Sequence, residues 1–173
     1  MDTILGPEMK STGEVMGMGA TFAEAFIKSQ LATDVLLQES GKIFISVLQS
    51  DKPHAIEIAR NLAGLGFTLY ATRGTAAAIT EAGIDVIIVN KVAEGRPHIV
   101  DMIKNGEINL IINTVKNQSS AIKDSYSIRR AALQAKVTYY TTLAGARAAC
   151  VGITNRRELQ AYNLQKLHVQ LKA

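Results

Sequence analysis

Polar side chains that can hold an anion stand directly after five short apolar runs of this chain. They comprise lysines, hydroxyls and amides, and such groups bind phosphate oxygens by charge and by hydrogen bonding. The sequence offers no recognisable nucleophile–base pair among them, so the pattern indicates binding rather than catalysis. The groups are Ser50 and Lys52 after the first run, Thr72 and Thr75 after the second, Asn90 and Lys91 after the third, Asn113 and Thr114 after the fourth, and Thr141 and Thr142 after the fifth.

The most informative segment is the turn Thr72-Arg73-Gly74-Thr75. Gly74 has no side chain, so the backbone can approach a ligand closely there. The helix that begins at this turn presents unpaired N–H groups and the positive end of its dipole. The same short pattern also serves as ordinary turn and cap chemistry, and the sequence does not decide whether Arg73 faces a ligand or solvent. The two lysines at neighbouring strand ends favour a site for a phosphate monoester.

The elements that must position these residues alternate between strands and helices. Continuous apolar strands followed by amphipathic helices predict an α/β fold of Rossmann-like, doubly wound type. We expect a five-stranded, mainly parallel sheet with helices on both faces, and the carboxyl ends of its strands lie at one edge. The predicted strands are 43–48, 67–71, 85–89, 109–112 and 137–140, and the predicted helices are 22–32, 51–66, 74–83, 97–104, 120–134, 142–151 and 156–169.

The 173 residues fall into three predicted segments. Residues 1–20 resemble a tail, residues 21–41 form a helix and linker, and residues 42–173 form the α/β domain. Thr21 and Glu24 have the spacing of a capping box at the start of the first helix. We expect that helix to pack on the sheet rather than carry a signal to another part of the protein. Asp51 is predicted to cap the helix that follows it.

Composition and charge exclude several classes of protein. The net charge is +4, with −4 in residues 1–40 and +8 in the remainder, which favours an anionic partner or simply a solvated basic surface. The absence of tryptophan and 5% aromatic content argue against a nucleic-acid-binding module that stacks bases. A single cysteine, Cys150, excludes an intrachain disulfide, and its apolar neighbours predict a buried, inert thiol. No apolar run reaches 18 residues, so we expect a cytoplasmic protein without a membrane span.

Other sites find little support in the sequence. Neither a Gly-x-Gly-x-x-Gly dinucleotide motif nor a P-loop motif is present. His54, His98 and His168 lack metal-ligand spacing, and His98 is predicted to be structural, so no metal is expected. Arg129 and Arg130 lie on a predicted helix, where they form salt bridges or meet a partner surface.

Several segments closely resemble the C-terminal allosteric domain of the large subunit of bacterial carbamoyl-phosphate synthase, which shares its fold with methylglyoxal synthase. The resemblance covers essentially the whole chain, and residues 5–17 look like the end of an ATP-grasp domain. The matching segments are 71–75, 90–106, 111–114, 127–130 and 140–143.

This resemblance implies a regulatory domain that is not catalytic by itself. The family binds UMP as inhibitor and IMP as activator at overlapping sites, and its ornithine contacts fall on Tyr139 and Thr141. The parent enzyme is an ATP-dependent ligase of arginine and pyrimidine biosynthesis. It uses Mg and K and works with a glutaminase small subunit. The resemblance does not decide whether the chain forms a homo-oligomer. The implied phosphate-binding residues are Lys52, Thr72, Gly74, Thr75, Lys91 and Asn113.

Two departures from related proteins matter for function. Val115 replaces a threonine of the family pattern, so one hydroxyl contact with the nucleotide is lost. Methylglyoxal synthase itself carries a catalytic aspartate in a Gly-Gly-Asp segment after its fourth strand, where this chain has residues 113–118 with no acid. Because proton abstraction next to a carbonyl needs a positioned carboxylate, that lyase activity is the less favoured alternative.

Overall fold

The structure, a computed structural model, describes residues 15–33, 35, 37–115, 119–156, 159, 161, 163 and 165. Strands and helices alternate from residue 42 onwards, as the sequence predicts. The strands are β1 (Lys42–Ser46), β2 (Thr68–Ala71), β3 (Ile87–Ile88), β4 (Leu110–Asn113) and β5 (Thr138–Tyr140). The helices are α1 (Phe22–Ala32), α2 (Lys52–Gly64), α3 (Arg73–Glu81), α4 (Ile99–Lys104), α5 (Ser119–Gln134) and α6 (Leu143–Thr154).

The five strands form one sheet in the order β3-β2-β1-β4-β5, and every pair is parallel. The predicted Rossmann-like α/β fold is therefore confirmed. The chain proceeds outward from β1 to β3 and then returns to the other side of β1 with β4. This reversal of strand order is the place where open parallel sheets leave a crevice.

Alternate residues of the central strands supply two separate hydrophobic cores. Ile43 and Ile45 of β1 pack in a core with α2, α3 and α6, whereas Phe44 packs in a second core with α4 and α5. All three side chains are at most 1% exposed. Burying a side chain of this size contributes about 1.5–3 kcal/mol, so both faces of the sheet hold their helices firmly.

Helix α1 packs on α6, as a close approach at Gly152 shows. A Cβ at Gly152 would lie 3.4 Å from Phe26 and 3.6 Å from Ile27, which is ordinary van der Waals contact and shows how close α1 lies to α6. The Thr21 hydroxyl accepts a hydrogen bond from the Glu24 backbone N–H and caps α1. This helix therefore packs on the domain, but mainly against α6 and not directly on the sheet as expected, and a hydrogen bond from the Tyr140 hydroxyl to Gln30 Oε1 at 3.2 Å joins it to β5.

Strand β3 differs most from its prediction. It has two residues instead of five, and Ile87 and Ile88 are 48% and 58% exposed. The run looked like a strand buried on both faces, but β3 is the edge of the sheet and pairs only with β2. Its neighbour Val89 is buried in the second core. The other strands and helices agree with their predicted positions to within a few residues.

Two predictions concern residues outside the described part of the chain. The tail up to residue 14 lies outside it, and so does most of the predicted helix 156–169. The proposed segment boundaries at 20 and 41 stay predictions. No helix among the described residues is long and apolar enough to cross a membrane.

Candidate effector-binding site

The site begins at the reversal of strand order, between β1 and β4. Ser46 and Asn113, the last residues of these strands, are register partners. A cleft of about 140 Å³ opens beside them at the carboxyl edge of the sheet. Its polar lining comes from five different places in the sequence: Ser46, Thr72, Lys91, the pair Asn113 and Thr114, and the pair Asp124 and Ser125.

The threonine hydroxyls of the 72–75 turn are built into the floor of this region. Thr72 and Thr75 are 4% and 2% exposed, and their Oγ1 atoms lie 3.4 Å apart. Thr72 Oγ1 also lies 3.2 Å from Ser46 Oγ, and Thr75 Oγ1 accepts the Val47 N–H at 3.2 Å. The hydroxyl network ties the end of β1 to the start of α3, so the turn has a defined position.

The first turn of α3 forms a shelf beside the cleft. Thr72 is the N-cap residue, yet its side chain makes no capping hydrogen bond because it turns to Ser46. The backbone N–H groups of Arg73 and Gly74 come before the first hydrogen bonds of α3, which the Thr75 and Ala76 N–H groups donate to the Thr72 carbonyl at 2.9 Å and 2.8 Å. Gly74 is exposed, and a Cβ there would lie 3.8 Å from Lys52 Nζ. An ammonium group and a helix N-terminus therefore face the same space, whereas Arg73 is exposed.

Lys91 reaches the cleft from a loop that is fixed at both ends. Asn90 and His98 form a parallel bridge, and Asn90 Nδ2 donates to the Pro97 carbonyl at 3.3 Å. The Lys91 N–H donates to Glu94 Oε2 at 2.8 Å, so the backbone of this loop is held while the Lys91 side chain is exposed.

The predicted phosphate residues are thus divided between two adjoining places. Thr72, Lys91 and Asn113 line the cleft. Lys52 and Gly74 belong to the shelf, and Thr75 is buried below it as a partner of Thr72. Binding of one anion by the whole set requires the cleft and the shelf to act together, with Thr72 common to both.

The amide of Asn113 is held by two hydroxyls. Its Nδ2 donates to Tyr139 Oη at 2.8 Å and to Ser125 Oγ at 3.3 Å. Asn113 is 5% exposed, and Arg129 lies over the Tyr139 ring with its guanidinium carbon 5.6 Å from the centroid. Tyr139 is half-buried and Thr141 is exposed, so of the two predicted ornithine contacts only Tyr139 is linked to the cleft.

Asp51 does not cap α2 as predicted. It occupies the N-cap position without a capping hydrogen bond, because its Oδ2 accepts from the Thr114 hydroxyl at 2.7 Å instead. A single 3₁₀ turn (Gln49–Asp51) precedes α2 and sets this orientation. The interaction ties the end of β4 to the start of α2 across the cleft.

His98 and Cys150 have structural environments. His98 is 8% exposed, and its Nδ1 accepts from the Asp101 N–H at the start of α4. Cys150 is 3% exposed within the first core, and burial raises the pKa of its thiol to about 11. Both predictions are confirmed. Within the described ranges no three His, Cys, Asp or Glu side chains form a metal-binding group.

Three polar residues of the cleft were not predicted from the sequence. Ser46 was placed inside the first strand because that strand was extended to residue 48. Asp124 and Ser125 belong to α5, away from any strand end, and both line the cleft. The polar side of α5 facing the sheet edge is the signal that could have located them.

Comparisons with known proteins agree with this architecture. Residues 54–141 match the MGS-like domain family. The chain belongs to the MGS-like domain family. The match covers half of the chain. It spans β2 to β5 and includes most of the candidate site.

The relatives that match nearly the whole of this chain are carbamoyl phosphate synthase large chains. That of Ralstonia nicotianae is 59% identical over 171 residues, which is 99% of this chain and 16% of the relative. Those of Pseudomonas aeruginosa and Neisseria meningitidis serogroup A are 55% and 52% identical, with the same 16% coverage of the relative. The chain therefore spans about a sixth of the length of these relatives, and the resemblance found in the sequence is confirmed.

A solved structure supports the fold. Methylglyoxal synthase from Elizabethkingia anophelis superposes with a TM-score of 0.53 at 20% identity, covering 65% of this chain and 78% of that protein. At this identity the likeness concerns the fold alone, and it confirms the methylglyoxal synthase-like architecture.

Proposed function

We propose that this chain is the effector-binding regulatory domain of a carbamoyl-phosphate synthase large chain. In this proposal the cleft and the α3 shelf bind the phosphate group of a nucleoside monophosphate, with UMP as inhibitor and IMP as activator. One observation carries the proposal. Groups from β1, β2, β4 and the Lys91 loop converge at the strand-order reversal, next to a helix N-terminus and the Lys52 ammonium.

The charge of the site favours a phosphate monoester. Lys52 and Lys91 supply two positive charges, and the first turn of α3 supplies N–H donors with the favourable end of the helix dipole. The Thr72 hydroxyl donates to Thr75 Oγ1 at 3.4 Å, and it would donate to a phosphate oxygen by exchanging this long bond for one to the ligand. A dianionic phosphate is matched by these groups in both charge and number of donors.

Asp124 indicates what lies beside the phosphate. It lines the same cleft, and a carboxylate repels a second phosphate but accepts hydrogen bonds from sugar hydroxyls. We therefore assign the ribose to the Asp124 side of the cleft. A diphosphate or triphosphate would bring negative charge against Asp124 and is expected to bind less well than the monophosphate.

Val115 is expected to weaken the contact with the phosphate. It lines the cleft and is 37% exposed, so it presents methyl groups where the family pattern has a hydroxyl. Loss of one hydrogen bond to a charged group costs about 1.5–3 kcal/mol. We therefore expect this chain to bind the nucleotide with lower affinity than relatives that have threonine at this position.

The proposal also includes the parent enzyme and its partners. As part of a large chain, the domain would be non-catalytic by itself, and the parent enzyme would use ATP, Mg and K and join a glutaminase subunit in the cytoplasm. Tyr139 and Thr141 would contribute to an ornithine site. The acidic partners for the ornithine amines would come mostly from other parts of the large chain, so the isolated chain is expected to bind ornithine weakly or not at all.

Isothermal titration calorimetry of the folded chain tests the proposal. UMP and IMP are titrated separately at low salt, and uridine and inosine serve as controls that lack the phosphate. Saturable binding of the nucleotides, with at least about tenfold weaker binding of the nucleosides, is expected from the loss of charge-assisted hydrogen bonds. Absence of binding at millimolar nucleotide, with an intact circular dichroism spectrum, would contradict it.

A methylglyoxal synthase-like lyase is the second candidate, because Asp124 places a carboxylate in the cleft. An assay with dihydroxyacetone phosphate separates the two functions. Turnover that Asp124→Asn abolishes would establish the lyase. We expect no turnover, because the segment after β4 lacks the aspartate found in that enzyme family.

A further inference from the structure

A chain of three side chains runs from the cleft to strand β5. Asn113 Nδ2 donates to Tyr139 Oη at 2.8 Å, and the Arg129 guanidinium lies over the Tyr139 ring with 5.6 Å to its centroid. Of the described residues, Asn113 lines the cleft and the other two do not. Tyr139 therefore reaches a ligand in the cleft through Asn113, at 2.8 Å, and more weakly through Ser125, whose hydroxyl lies 3.5 Å from Tyr139 Oη.

The orientation of the Asn113 amide decides its chemistry. One end of the amide donates hydrogen bonds and the other end accepts them, so only the nitrogen end can favour an anion. Rotation about the last side-chain bond is soft, and it exchanges the two ends unless other groups hold them. Tyr139 Oη and Ser125 Oγ each accept from Nδ2, at 2.8 Å and 3.3 Å, and together the two bonds resist rotation of the amide plane.

Ser125 shows where the fixed nitrogen points. Its hydroxyl lines the cleft, so the Asn113 N–H that reaches it is directed at the cleft wall. A phosphate oxygen in the cleft can accept this N–H in place of Ser125, while the shorter bond to Tyr139 remains. The Tyr139 hydroxyl thus holds the amide ready to donate.

We propose that Tyr139, supported by Arg129, is a positioning residue that holds the Asn113 amide in the orientation that binds the effector phosphate. The proposal rests on the proposed function of the cleft. It also explains the place of Arg129, which forms no ion pair within the described ranges and instead stacks on the tyrosine ring.

The test compares Tyr139→Phe with the original chain in calorimetric titrations of UMP and of inorganic phosphate. Phenylalanine keeps the ring and its contact with Arg129 but removes the hydroxyl that holds Asn113. Affinity for both probes is expected to fall about three- to tenfold, the range for one hydrogen bond. Tyr140→Phe is the matched control, because the Tyr140 hydroxyl donates to Gln30 of α1 instead.

A double-mutant cycle separates positioning from general structure. Asn113→Ala is expected to weaken binding, and adding Tyr139→Phe to it is expected to change affinity by less than about twofold, because the amide to be positioned is gone. The same loss for Tyr139→Phe with and without Asn113 would overturn the positioning role and leave the proposed function intact. Failure of the original chain to bind UMP and phosphate would overturn both.

Discussion

The Thr114 hydroxyl donates a 2.7 Å hydrogen bond to Asp51 and accepts the Leu48 N–H at 3.0 Å. One side chain at the end of β4 thereby joins the loop after β1 to the start of α2. Thr114 lies 63 residues from Asp51 and 66 residues from Leu48 in the sequence. They form one wall of the candidate site, so its shape depends on this hydroxyl.

Replacement of that hydroxyl should weaken the fold. Thr114→Val keeps the shape of the side chain but leaves the Leu48 N–H and the Asp51 carboxylate without this partner. The free energy of unfolding is expected to fall by about 1–2 kcal/mol, measured by urea denaturation. Thr68→Val, at an exposed threonine of β2, is the control and should change stability by less than about 0.5 kcal/mol. Equal stabilities of both variants would contradict the role of Thr114.

The hydrogen bond from Thr114 to Asp51 shows why residues of the site could be predicted from the sequence, whereas the hydrogen bonds that join them could not. The strand ends carrying Lys91 and Asn113 were found because apolar runs mark strands and parallel strands end at one edge. The bond from Thr114 to Asp51 could not be found, because Asp51 before a helix has the local pattern of a cap. Only the tertiary fold brings the competing hydroxyl within reach.

Strand β3 shows a second limit of sequence reasoning. The apolar residues at 86–89 have the composition of a central strand, but position within a sheet is set by strand order and not by local composition. Ile87 and Ile88 are exposed because β3 is an edge strand with no neighbour on one side. Tyr139 shows a related limit, since its contact with Asn113 joins residues 26 positions apart.

Gly74→Ala should separate stability from binding. The new Cβ would meet only Lys52 Nζ at 3.8 Å, an ordinary contact, and alanine favours helix over glycine. Stability is expected to hold or to rise by up to about 1 kcal/mol. The methyl group would occupy the space between the α3 amides and the Lys52 ammonium, so UMP affinity should fall. Thermal unfolding and calorimetry measure the two effects, and unchanged affinity would remove the shelf from the site.

Lys91→Ala should weaken nucleotide binding with little effect on folding. Lys91 is exposed and lines the cleft, so its ammonium contributes charge to the ligand more than to the fold. Loss of this charged hydrogen bond should cost about 1–3 kcal/mol in UMP binding, measured by calorimetry. Arg60→Ala removes one positive charge from the exposed face of α2 and is the control for net charge. Equal losses of UMP affinity in both variants would mean that Lys91 acts only through the net charge of the protein and not through a contact with the ligand.

Stability should fall at high pH because of two buried acids. Burial raises the pKa of the Cys150 thiol to about 11 and that of the Tyr140 hydroxyl to about 12. Above about pH 9 the unfolded chain loses the thiol proton while the folded chain keeps it, so unfolding becomes more favourable as pH rises. The contribution of Cys150 is lost between about pH 9 and pH 11 and amounts to about 2–3 kcal/mol.

Cys150→Ala tests this directly, because alanine cannot ionise in the unfolded chain. Urea denaturation of both proteins from pH 8 to pH 11 should give a shallower fall in stability for the variant above pH 9. At pH 8 the variant should be less stable, because it loses packing in a core where Cys150 is 3% exposed. The two stability curves should therefore converge as pH rises. Parallel curves would mean that the thiol ionises equally in both states, which contradicts its burial.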